Sequence, residues 1–266
     1  MALKQHTSIT ERFRQQYENA KDYLIPFVEE RFAVNSDMKV LEIGAAEGGV
    51  LKAFIDKGCW TMGVDLSPFR IDTAKEVMAE EVAAGQIYLE AVNVYDDDFR
   101  EKWGGQFDLI VLKDTIEHIP EQEKFIPYIK QFLKPEGVIF FGFPPWRMPY
   151  GGHQQICRTS KLLSKLPWFH LLPKGLYKRI LIAGGEGERV VEELMDIKAT
   201  GINLGRFERI VRKSGLRIRH RRLFLINPIY KYKFGLKVRT QLPLLGDIPF
   251  LRDFVTTCGW YLVERK

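Results

Sequence analysis

The sequence predicts an α/β fold, a doubly wound and mostly parallel sheet, and three observations carry that expectation. Short apolar runs alternate with helix-patterned stretches between residues 39 and 143. The first run ends in a turn of small residues, Gly44-Ala45-Ala46-Glu47-Gly48, which opens into a helical pattern. Residues 107–112 are apolar at nearly every position, as a strand covered on both faces must be. The composition agrees: of 266 residues 45% are hydrophobic and 28% charged, which excludes a disordered or collagenous chain.

In chain order, Ser8-Ile9-Thr10-Glu11 has the S-x-x-E form of a capping box. Phe13, Tyr17, Ala20 and Leu24 follow at helical spacing, so an amphipathic helix is expected to end near Pro26, with a second helical stretch to about Phe32. Strands are expected over residues 39–44, 61–65, 87–94, 107–112 and 138–143, and helices over 48–57, 67–84 and 121–133. After Pro144-Pro145 the alternation stops. Residues 145–200 are rich in Pro, Gly, Trp and basic residues, and read as a long insertion after the fifth strand, lying over the ligand-binding edge. Residues 203–214 form a helix closed by Gly215, and 216–226 and 255–264 two final strands. The expected organisation is one domain. Residues 1–35 hold N-terminal helices, 36–144 the ligand-binding core, 145–200 the insertion and 201–266 the closing helix and strands.

The net charge of +6 hides a strong asymmetry. Residues 1–150 carry 17 Lys/Arg against 25 Asp/Glu, while residues 151–266 carry 23 against 9. A basic back half points to a solvated face or to an anionic partner, which includes nucleic acid. The three cysteines, Cys59, Cys157 and Cys258, are odd in number and contain no C-x-x-C pair, so a disulfide framework is excluded and a reducing compartment, the cytoplasm, is expected. The polar N-terminal stretch has no secretory h-region. The most apolar window, residues 162–182, is broken by two prolines and several cations, so it can lie on a membrane surface but not cross one.

The glycine turn carries the chemistry. Small residues let a ligand approach the backbone, and the helix N-terminus offers free N–H donors. Asp65, at the end of the second strand and 21 residues beyond Gly44, suits a carboxylate receiving both hydroxyls of a ribose. The spacing is G-x-x-x-G, not the G-x-G-x-x-G of dinucleotide sites, which favours a nucleoside without a pyrophosphate over NAD.

The segments LEIGAAEG, GVDLSP, FDLIVLKDTIEHI and LKPEGVIFFGFP, in this order, resemble the motifs of class I S-adenosylmethionine-dependent methyltransferases of the small-molecule type. The resemblance covers residues 36–144 and, less specifically, the FERIVRKSGLRI stretch. It implies a seven-stranded Rossmann-like sheet with an antiparallel last strand, and S-adenosyl-L-methionine as cofactor, released as S-adenosyl-L-homocysteine. It places Glu42 and Gly44 at the methionyl end, Ala46 and Gly48 along the turn, Asp65 at the ribose, and Leu66 over the adenine. Asn93, with Val94 beside it, stands where many relatives have an acid facing the adenine amine, a role Asp96 offers to fill. Lys113 would present its backbone near the methionyl group.

Because the sulfonium methyl is already electrophilic, the protein chiefly aligns acceptor, methyl and sulfur. A hydroxyl acceptor gains from a base, and His118 and His153, each just past a strand at the carboxyl edge, are the candidates. Asp114-x-x-Glu117-His118 followed by His153 also resembles the metal site of small-RNA 3′-terminal 2′-O-methyltransferases, and ubiquinone-pathway O-methyltransferases have a similar Glu-x-x-Glu-His. A divalent metal is therefore carried as an open alternative. Phe143, Trp146, Tyr150, Trp168 and Phe169 either close over an apolar acceptor or form a second small core. The expected activity is methyl transfer to an oxygen of a small-molecule or lipid-like acceptor. The alternatives are an RNA or nucleotide 2′-O-methyltransferase and a non-catalytic S-adenosylmethionine-binding protein. The sequence leaves the oligomeric state open.

Overall fold

A computed structural model describes residues 8–266; residues 1–7 of the polar N-terminal stretch lie outside the described residues. Ser8 caps the first helix, α1 (Ile9–Asn19), its hydroxyl accepting the Glu11 N–H at 3.3 Å. The helix does not end at Pro26 as its sequence predicts. It widens into a π-helical turn over Ala20–Leu24 and continues as α2 (Ile25–Glu29). A π-turn already leaves the ladder one bond short, so a residue without an N–H is accommodated just beyond it.

The sheet then follows in the expected order. It alternates β1 (Lys39–Ile43), α3 (Gly49–Ile55), β2 (Trp60–Asp65), α4 (Pro68–Val77), α5 (Ala79–Ala83), β3 (Ile87–Ala91), α6 (Asp97–Trp103), β4 (Phe107–Lys113), α7 (Gln122–Ile129) and β5 (Leu133–Phe143). Three details differ from expectation. The helix over residues 67–84 is two helices, because Met78 leaves helical geometry at φ −113°. β3 stops at Ala91, since Asn93 folds the chain into a turn by accepting the Tyr95 N–H at 3.1 Å. The short α6, rich in charge, gives no apolar periodicity to read.

The insertion carries helices α8 (Lys161–Lys165), α9 (Lys174–Ala183) and α10 (Glu188–Thr200) and has its own small core of Leu163, Phe169, Tyr177, Leu181, Val191 and Leu194. It is anchored by the buried Glu186, whose carboxylate accepts the N–H groups of Arg158, Thr159 and Ser160. The closing segment runs α11 (Leu204–Lys213), β6 (Leu216–Ile226), α12 (Ile229–Phe234), β7 (Arg239–Thr240), α13 (Pro243–Asp247), α14 (Leu251–Val255) and β8 (Cys258–Arg265).

The strand order is β3-β2-β1-β4-β5-β8-β6-β7, with β1 to β5 parallel and β8 antiparallel to both neighbours. Eight strands stand where seven were expected. The additional one is the two-residue β7, which pairs with the edge strand β6 and is too short to show alternation. Two apolar layers, one centred on Phe54 and Trp260 and the other on Phe132 and Phe207, cover the two faces of the sheet. Among the described residues no helix is long and apolar enough to cross a membrane. All three cysteines are free and buried.

Candidate active site

The site begins where β1 leaves the sheet. The N–H groups of Gly44 and Ala45 both bond to the Val64 carbonyl, at 2.8 and 3.1 Å, which holds the turn against the end of β2. Gly44 has φ +80°, and a Cβ there would stand 2.7 Å from Thr115 Oγ1, so neither the backbone nor the space admits a side chain. Ala46 also has positive φ, at +47°. Gly48 (φ +82°) starts α3 with its Cα packed towards the Met78 sulfur.

A single cavity of about 1120 Å³ opens at the carboxyl ends of β1 to β4, the edge at which open α/β sheets bind ligands. Glu42, Gly44, Ala46, Asp65, Leu66, Asn93, Val94 and Lys113, all expected from the sequence, line it, and so does His118. Gly48 and His153 do not. Gly48 lies behind the turn, and His153 packs behind His118, their rings 4.9 Å apart. Asp96 is not on the cavity either; it stands at the start of α6, so it does not take the role left open by Asn93. From α1 come Arg12, Gln15 and Gln16, from α10 Arg189 and Glu193, and from α12 Ile229 and Lys233.

The charges are arranged unevenly around this space. Asp65 uses one oxygen to accept the Ser67 N–H at 2.9 Å and has Arg70 at 3.7 Å from the other, so its carboxylate is fixed in orientation at the cavity wall. Glu42 is buried, with one oxygen unpartnered, and burial pushes its carboxyl well above the usual range. Glu117 behaves likewise: it is buried with both oxygens unpartnered, and desolvation first, then the Asp114 charge, raises its carboxyl. Asp114, in the left-handed region at φ +54°, accepts from Lys113 Nζ at 2.5 Å, and that ammonium holds its carboxyl below the usual value.

Glu117, His118 and His153 converge, with one ligand atom from each lying within 4.8 Å of the others. Asp114, the first member of the motif that resembles a metal site, is not in the group; its carboxylate is held by Lys113. The segment Ile116–His118 is clamped from the insertion, where Thr200 Oγ1 donates to the Glu117 carbonyl and Gln122 bridges the carbonyls of Ile116 and Thr200. Burial lowers both imidazoles, His153 to about 4, so both are neutral at pH 7.

A family model described as a methyltransferase domain matches residues 13–159 of this chain. The chain belongs to that family. The chain is 23% identical over 151 residues to a ubiquinone biosynthesis O-methyltransferase of Histophilus somni (strain 2336), an alignment covering 53% of this chain and 57% of the relative. It is 24% identical over 137 residues to the protein of that name from Escherichia coli O127:H6, covering 50% and 55%. The chain thus spans about half the length of the curated relatives it matches. Among solved structures, geranyl diphosphate C-methyltransferase from Streptomyces coelicolor A3(2), in complex with Mg2+, geranyl diphosphate and S-adenosyl-L-homocysteine, superposes with a TM-score of 0.58 at 14% identity. That match covers 97% of this chain and 83% of the other, and it shows the shared fold. The expectation of a class I S-adenosylmethionine-dependent methyltransferase is met in family and fold.

Other features of the structure differ from the sequence reading. The run Gly151-Gly152-His153-Gln154-Gln155 is a packed turn. A Cβ on Gly152 would meet the His170 side chain at 2.2 Å, and buried Gln154 donates to the carbonyls of Pro149 and Leu166. The insertion aromatics do not line the cavity: Phe143 and Phe169 are core, and Trp146 packs edge-on against buried His170. Cavity aromatics are instead Phe69, Tyr95 and Phe125. The arginines of β6 are paired, Arg217 and Arg219 with Glu264, Arg221 with Glu208 and Asp247, and Arg222 with Glu30. These four arginines are therefore locally paired, and of their acids only Glu30 comes from the acidic front half. Arg12, Gln15, Gln16, Arg189 and Lys233 carry no sequence motif; only the fold brings them to the site.

Proposed function

We propose that this methyltransferase moves the methyl group of S-adenosylmethionine to an oxygen of a small-molecule or lipid-like acceptor. The observation that carries the reading is the continuity of one cavity from Asp65, Leu66 and Asn93 to Lys113, Asp114 and His118. Its volume of about 1120 Å³ is more than a single small ligand needs, which supports a cofactor and an acceptor held together. Asp65 receives the ribose hydroxyls, Leu66 covers the adenine, and Gly44 and Ala46 let the nucleoside approach the turn. Glu42 and the backbone of Lys113 bound the methionyl end, with Val94 beside the base and Gly48 holding the turn behind it.

The bound cofactor supplies an electrophilic methyl on a positively charged sulfur. His118, neutral and at the cavity wall, accepts the acceptor's hydroxyl proton as the new oxygen–carbon bond forms and the carbon–sulfur bond breaks. His153 supports the His118 ring from behind. The relatives named ubiquinone biosynthesis O-methyltransferase support an oxygen acceptor. The three buried free thiols support a reducing compartment, the cytoplasm.

A second reading is favoured by the convergence of Glu117, His118 and His153 and by the two unpartnered oxygens of Glu117. A carboxylate and two imidazoles fit a divalent metal, which when bound would lower the pKa of an acceptor hydroxyl. The test of the main reading is incubation with methyl-labelled cofactor and fractionated cell extract, after S-adenosylhomocysteine binding has been measured by calorimetry. Label in small metabolites or lipid is the expected result. Label in RNA overturns the acceptor class, and tight cofactor binding without any label favours a non-catalytic binder.

A further inference from the structure

We infer that the acceptor carries a permanent anionic group, a carboxylate or a phosphate, and that Lys233 receives it. This rests on the reading of the cavity as a methyltransferase site and adds the charge of the substrate.

Lys233 sits on α12, a helix of the excursion between β6 and β8. The helix is fixed from outside: Tyr232 donates to Asp22 Oδ2 at 2.6 Å and Lys231 lies 3.4 Å from the same oxygen. That docking turns Ile229 and Lys233, one helical turn apart, towards the cavity, and both line it. Lys233 is half-buried at the cavity wall, and burial depresses its ammonium below the usual lysine value.

What singles this lysine out is the lack of a counterion. No hydrogen bond or ion pair reaches its Nζ among the described residues. The nearest acid that influences it, Asp114, is beyond ion-pair distance and is already held by Lys113 at 2.5 Å. Glu42 and Glu117 do not balance it, because burial pushes both towards their neutral forms. This end of the cavity therefore holds two ammonium groups and one settled carboxylate. A half-buried cation without a protein partner is a ready site for an anion arriving with the substrate, which would meet it in a charge-assisted hydrogen bond. The location is the acceptor end, since Lys233 acts electrostatically on both Asp114 and His153, and α12 follows β6, which lies on the other side of β1 from β2 and β3 that carry Asp65 and lead to Asn93.

The experiment titrates 4-hydroxybenzoate, phenol and inorganic phosphate into protein saturated with S-adenosylhomocysteine, for the unaltered chain, Lys233→Met and Lys233→Arg. The expected result is that at least one anion binds roughly tenfold or more tightly than phenol, as a charge-assisted hydrogen bond provides. Preference for 4-hydroxybenzoate marks a carboxylate acceptor, and preference for phosphate a phosphorylated one. Lys233→Met should abolish the discrimination and Lys233→Arg should keep it, with S-adenosylhomocysteine affinity unchanged within about twofold in both. Equal or absent binding of the anions and phenol overturns the inference, as does discrimination that survives in Lys233→Met. Failure of S-adenosylhomocysteine to bind the unaltered chain would instead overturn the cofactor reading.

Discussion

Replacing Asp65 by Asn tests the cofactor assignment with little disturbance of the turn. Asp65 does two things in the structure: one oxygen accepts the Ser67 N–H at 2.9 Å, and the carboxylate faces the cavity with Arg70 only loosely paired at 3.7 Å. An asparagine oxygen still accepts the Ser67 N–H, so the start of α4 survives. The charge is lost, and one of two ribose hydroxyls meets an amide where it needs an acceptor. Hydrogen bonds to a charged group contribute about 1.5–3 kcal/mol each. Losing one predicts an affinity for S-adenosylhomocysteine lower by roughly tenfold to a hundredfold. The exposed Arg70 contact adds little to this. Isothermal calorimetry measures the affinity, and the thermal midpoint of the protein without ligand serves as control for the turn. An Asp65→Asn protein that binds within twofold of the original refutes the placement of the ribose.

Gly44→Ala should lower stability by about 2 kcal/mol or more, because φ +80° strains an L residue and its Cβ overlaps the Thr115 side chain; denaturant unfolding reads the loss, and adding Thr115→Ala should recover only the steric share. His170 is fully buried with its pKa lowered to about 4, so between pH 6.5 and 4 the unfolded state binds a proton the folded state does not, and stability falls as pH falls. At pH 5 that amounts to about 2 kcal/mol, or roughly 4–8 °C in midpoint, and His170→Gln should flatten this part of the melting curve's pH dependence. If a divalent metal assists, chelation and His153→Ala should each reduce turnover at least tenfold with unchanged S-adenosylhomocysteine affinity; full activity after both removes the metal reading.

Much of the sheet was legible because its signals are local. Each parallel strand is a short apolar run, and the turn after β1 needs residues that reach positive φ. What escaped depends on partners distant in sequence. Pro26 reads as a helix stop unless the π-turn before it is known, and β7 exists only because β6 offers an edge. The same division holds for the site. Glu42, Asp65 and Lys113 sit at strand ends whose position the alternation fixes, whereas Gln16, Arg189 and Lys233 arrive on helices whose docking no short window encodes. His153 lies in the polar run Gly151-Gly152-His153-Gln154-Gln155, and the packing of Gly152 against His170 explains the turn around it.

The charge asymmetry joins these two classes of information. The front half of the chain is acidic and the back half basic. In the folded chain they meet directly, Arg222 and His220 with Glu30, and Lys231 and Tyr232 with Asp22. These contacts fasten the closing segment to the N-terminal helix and so determine which face of α12 turns inward. Lys231, on its outer face, meets Asp22 from the first half, while Lys233, on the inner face, has no such acid among the described residues. Exposed pairs of this kind contribute little each, but they set an orientation. Asp22→Ala should therefore weaken any anion preference at the cavity without touching it, by loosening α12. If the preference depends on Lys233 yet is indifferent to Asp22, the helix is held by its apolar contacts alone and the charge pairing between the halves has no part in shaping the site.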